Sequence, residues 1–135
     1  MNADTVSAMA KATLEGSLPF PQIVGELIAQ GVEYYHVDYA TRTFTFYSAA
    51  GAPVTAALAF EALPEIASGW DATALKEAIH DSQKNGQKFR QFCERAMAAG
   101  VQGFFAFLRG QRVTYLGRTG DQHIEWFPGA KPSDA

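Results

Sequence analysis

The chain has little of what usually ties a sequence to a chemistry. It holds one cysteine, Cys93, in 135 residues, so no intramolecular disulfide can form. No apolar run reaches the roughly 20 residues that span a bilayer. The stretch Met1 to Leu14 has one basic residue, Lys11, and no greasy centre, which is unlike a secretory signal. A cytoplasmic, membrane-free protein is therefore the expectation. The three histidines, His36, His80 and His123, show no HxxxH or HExxH spacing, and no CxxC is present. A metal would need them to converge with Asp38, Asp121 or Glu125, so neither metal nor cofactor is expected. The Gly-x-Ser-x-Gly elbow and the Gly-Lys-[Ser/Thr] end of a phosphate loop are both missing. Net charge is −3, so no nucleic-acid partner is expected either.

What the chain does have is aromatic mass and order. Ten Phe, five Tyr and two Trp favour strands and core layers. The offset that lays Gly31 on Gly100 also lays Val32 on Val101, Phe20 on Phe89, Gln22 on Gln91, Thr45 on Thr114 and Gly51 on Gly120. Phe20, Ile23, Val24, Leu27 and Ile28 recur at helical spacing, and so do their counterparts Phe89, Phe92, Cys93, Ala96 and Met97. Each helix stops at a glycine suited to a left-handed terminus, Gly31 or Gly100. An earlier helix precedes each, with Asp4 and Asp71 placed as N-caps. Strands follow over 32–39 and 42–47, then over 101–108 and 112–116, the second pair joined through Gly110. Third strands are expected over 54–60 and 123–127, and a frayed tail from Lys131 to Ala135.

Each unit thus reads α-α-β-β-β. The expectation is one α+β domain over 1–135 with an internal repeat, 3–62 and 72–129. Two tandem units join into one antiparallel sheet packed with helices. The first half is acidic, with only Lys11 and Arg42 as bases, and the second is mildly basic. That asymmetry is ordinarily a solvated surface; its sharper reading is head-to-tail self-association or the binding of an anion by the second half.

The segment Gly31-Val-Glu-Tyr-Tyr-His-Val-Asp-Tyr39, followed by Arg42-Thr-Phe-Thr-Phe-Tyr47, resembles the YbcV/YdfO-like family of bacterial and prophage proteins of unknown function. Some of its members carry the label phage envelope protein. The resemblance covers most of the chain and implies no catalytic residues.

Alternation along the strands sorts the polar groups. Tyr35, Val37, Phe44 and Phe46 should face one way, and Tyr34, His36, Asp38 and Tyr47 the other. His36 and Asp38 share that face, as an oriented imidazole would require. Hydrogen-bonded groups on a half-exposed strand are the blander alternative. Gly103 to Leu108 is apolar on both faces and so should be covered on both, by helices, a curled sheet or a second subunit. If exposed, Phe105 and Phe107, with Arg112 beside them, form an interaction surface. Cys93 falls on the apolar stripe, where a thiol is inert. The bases around the fourth helix are interleaved with Phe residues already assigned to the core. The reading that follows is a non-enzymatic binding or protein-interaction module that self-associates or meets another protein. The alternative is a small-molecule-binding protein or enzyme with a pocket around Tyr34, His36, Asp38 and Tyr47.

Overall fold

The computed structural model describes residues 1–131; of the expected tail, Lys131 to Ala135, residues 132–135 lie outside the described residues. Helices α1 (Ala3–Glu15) and α2 (Phe20–Ala29) precede strands β1 (Val32–Asp38), β2 (Thr43–Ser48) and β3 (Val54–Ala57). Helices α3 (Ala72–Lys84) and α4 (Phe89–Ala98) precede β4 (Val101–Phe107), β5 (Arg112–Gly117) and β6 (Gln122–Trp126). The fold is α+β, two α-α-β-β-β units sharing one sheet in the order β3-β2-β1-β4-β5-β6. Every pairing is antiparallel.

Local chemistry sets the helix ends. Asn2 caps α1, its Oδ1 accepting from the Thr5 amide at 3.0 Å. The expected cap, Asp4, instead lies in the first turn, where its charge meets the positive end of the helix. Asp71 does cap α3, accepting from the Ala74 amide at 3.0 Å. Gly31 and Gly100 end their helices at φ 83 and 95, the left-handed region that glycine enters most cheaply. In the hairpins the left-handed residues are Arg42 (φ 58) and Gln111 (φ 56), not Gly110. The third strand of the first unit is shorter than expected, and that of the second has the expected length, shifted by one residue. After β3, Leu58 still bonds the Arg42 carbonyl, and then the chain turns away.

One apolar cluster joins all four helices to one side of the sheet. It takes Val6 and Ala10 from α1, Leu27 from α2, Leu75 and Ile79 from α3, and Phe92, Cys93 and Met97 from α4. From the strands it takes Tyr35, Val37, Phe44, Phe46, Phe104 and Tyr115. A register shift at Val32/Tyr34, matched at Val101/Gly103, lets Val32 and Tyr35 both face the core despite their odd spacing.

The α2 stripe is only partly buried. Ile23 and Leu27 are in the core, but Phe20 is 43% and Ile28 52% exposed. The reason lies in the linker. Ala67 bonds the Met97 carbonyl at 2.9 Å and covers the end of α4, whereas Ile28, the counterpart of Met97, has no such cover among the described residues.

Candidate functional site: the open sheet face

Strand alternation sends the other side chains of the sheet away from the helices. Cross-strand register then arranges them in rows. Tyr34 stands opposite Tyr47 on one side and Phe107 on the other; Phe107 faces Arg112, and Arg112 faces Trp126. A second row runs Thr55, Thr45, His36, Phe105, Thr114, Ile124. A third runs Ala57, Thr43, Asp38, Gly103, Leu116, Gln122. None of these residues belongs to the core cluster or packs against it. The expected double cover of β4 is therefore not provided by helices: Phe105 and Phe107 sit half-buried on an uncovered face.

The rings on this face lie against one another. Tyr34 stacks on Tyr47 with centroids 4.7 Å apart at 15°. His36 stacks on Phe105 at 4.3 Å and 14°, and Phe105 lies parallel to Phe107 at 5.8 Å. The Arg112 guanidinium sits 4.5 Å above the Trp126 ring. Such pairs add about 0.5–1.5 kcal/mol each beyond area burial, so the face is preorganised. Its rings turn their faces to one another and leave edges to the outside.

His36 is the most perturbed polar group here. Burial lowers its pKa, and the neighbouring charge of Asp38 opposes that shift. Its Nε2 is buried without a hydrogen-bond partner. Asp38 does not turn toward it. Its Oδ1 accepts from the amides of Ala40 at 2.8 Å and Thr41 at 3.2 Å, closing the β1–β2 turn. The candidate quartet therefore shares one face, but its carboxylate is committed to the turn. Two clefts, of about 660 and 460 Å³, are lined by other residues. On the opposite face of β6, His123 Nε2 lies 3.0 Å from Glu125 Oε1, so strand neighbours two apart can touch. Among the described residues, no three His, Cys, Asp or Glu side chains gather as metal ligands would. Cys93 is fully buried, and that burial pushes its thiol pKa up to about 12.

Sequence reasoning named Tyr34, His36, Asp38, Tyr47, Phe105, Phe107 and Arg112, and all seven fall on or border this face. It missed Trp126 and Ile124. Their signal was the alternation of Ile124 and Trp126 with His123 and Glu125, legible once β6 is paired with β5.

Architecture and face define an α+β protein whose six-stranded sheet is covered on one side and open on the other. The family described as "Protein of unknown function (DUF1398)" matches residues 3–124, and the chain belongs to that family. No curated protein matches the chain. Among the described residues no helix is long and apolar enough to cross a membrane.

Proposed function

We propose that this chain is a non-enzymatic protein-interaction module that docks through its open sheet face, and that a second copy of the chain is the partner. The observation that carries the reading is the row Tyr47, Tyr34, Phe107, Arg112, Trp126 on a face that no helix covers among the described residues. A half-solvated antiparallel sheet ordinarily alternates apolar inside with polar outside. This one places Phe and Tyr on both sides, and adds Leu116, Ile124 and Trp126 on the open one. Six strands at about 4.8 Å spacing and about six residues of length span about 29 by 20 Å, or roughly 1,200 Å² for two copies, at the lower end for a specific interface. Asp38 and Arg112 stand in different rows, so a twofold arrangement can bring each acid to the other copy's base. Rings already mated face to face argue against a base-stacking surface for nucleic acid.

A single domain that arose by duplication, membership of the YbcV/YdfO-like group and a cytoplasmic location, supported by the lone buried Cys93, belong to the same reading. One observation favours a second reading, a small-ligand or enzyme site at Tyr34, His36, Asp38 and Tyr47. It is the unpartnered Nε2 of His36. The two clefts lined by other residues and the turn-bound carboxylate weigh against it.

A photo-crosslinking residue at Thr114, on the open face, and another at Lys76, on a helix, separate the readings. A self-adduct from Thr114 alone supports docking through the face. Equal adducts from both positions, or none from Thr114, would refute it.

A further inference from the structure

We infer that the cleft at the far corner of the sheet is a binding site for a small organic anion, a phosphate or carboxylate carried on an apolar body. The cleft measures about 660 Å³, within the range of small-molecule sites. It forms where the β1–β2 turn, the linker around Ile66, the end of α4 and the β5–β6 turn meet. Two guanidiniums, of Arg42 and Arg118, line it beside the Gln102 amide, and Ile66 and Met97 supply apolar wall. Each guanidinium is anchored by one backbone carbonyl: Arg42 Nε donates to Tyr39 at 2.9 Å, and Arg118 Nη1 to Ile66 at 3.1 Å. An arginine has five N–H donors, so most remain free. Neither makes an ion pair among the described residues, although Glu65 also lines the cleft. Anchored, unneutralised guanidiniums over an apolar wall are what bidentate recognition of phosphate or carboxylate uses.

The other unit supplies an internal contrast. The offset that lays Gly31 on Gly100 puts Gln111 at the place of Arg42, Ala49 at that of Arg118 and Glu33 at that of Gln102. In that corner Arg109, the counterpart of Ala40, pairs with Glu33 at 3.3 Å, and the charge is neutralised. The free cationic pair is thus a property of one corner and not of the fold.

The same contrast provides gentle substitutions. Gln111 already occupies the left-handed turn position at φ 56, so Arg42→Gln keeps a side chain that this turn accepts. Arg118→Ala copies Ala49. The test is an amide-resolved NMR titration of the full chain with phenyl phosphate, benzoate, inorganic phosphate and phenol. Phenyl phosphate or benzoate should move the amides of Ala40, Gln102 and Arg118 at millimolar concentration, and their ranking distinguishes the two acid groups. Phenol should not move them. Each lost guanidinium should weaken binding about tenfold, and the double variant about a hundredfold. Unmoved cleft amides at about 10 mM of both aromatic acids, equal shifts with phenol, or affinity unchanged in the double variant would overturn the assignment. Movement with inorganic phosphate alone, at the same strength in Arg118→Ala, would overturn it too.

Discussion

Replacing Gly31 and Gly100 separately by alanine tests how the two units are joined. Both glycines end a helix in the left-handed region, at φ 83 and 95. That conformation alone costs an L-residue about 1–2 kcal/mol. At Gly31 nothing lies within 4 Å of an added Cβ, so this cost should be the whole effect. At Gly100 the Cβ would meet the Gly69 carbonyl oxygen at 2.1 Å, its carbon at 2.9 Å and the Trp70 Cα at 3.2 Å. Those atoms are backbone and cannot swing aside. The linker there is also held by the Asp71 amide on the Ala99 carbonyl at 2.8 Å. Gly100→Ala must therefore push the linker off the end of α4 and lose that bond and its packing. The expected loss is about 4 kcal/mol or more, a large share of the 5–15 kcal/mol typical of a domain. Urea unfolding of both variants, read by Trp fluorescence and far-UV circular dichroism, measures the difference. Equal losses at the two sites would show that the linker does not clamp α4, and the reasoning would fail.

Three further outcomes are expected. Phe104→Ala should cost about 3–5 kcal/mol and Phe105→Ala about 1, because Phe104 is a core residue on the helix-covered face and Phe105 its neighbour on the open one; denaturant midpoints that fall together would contradict the face assignment. Burial lowers the His36 pKa, so as pH falls below about 6.5 the unfolded chain takes up that proton first and stability declines, while above it the contribution is complete. His36→Phe, which copies Phe105, should flatten the part of the stability–pH slope just below about 6.5; an unchanged slope would show that His36 is not the group responsible. Asp71→Ala removes the α3 cap and should cost about 1 kcal/mol, measured by thermal or chemical unfolding, whereas Asp4→Ala should cost a few tenths because Asp4 caps nothing.

Much of the fold was legible because its signals are local. The helix stripes, the glycine stops at Gly31 and Gly100 and the alternation along β1 and β2 each depend on a few neighbouring residues. The errors came where a distant segment decides. Phe20 and Ile28 carry the same helical stripe as Phe89 and Met97, yet only the second pair is covered, and the linker that covers Met97 has no periodicity to read. Asn2 displaced Asp4 as a cap because a shift of two residues at a helix end cannot be told from spacing. The site followed the same rule. Alternation put Tyr34, His36, Asp38 and Tyr47 on one face, but Trp126 joined them only through the pairing of β5 with β6. The cleft between Arg42 and Arg118 was invisible, since turns 76 residues apart in the chain form it only after the sheet closes.

The docking of one open sheet face on another is tested most directly by the mass of the particle in solution. Light scattering after size exclusion, over a wide concentration range, should give twice 14.6 kDa for the native chain. The variants Phe105→Glu and Phe107→Glu should give 14.6 kDa with unchanged circular dichroism. A native chain that stays at 14.6 kDa at every concentration, or a dimer that both substitutions leave intact, would contradict the account.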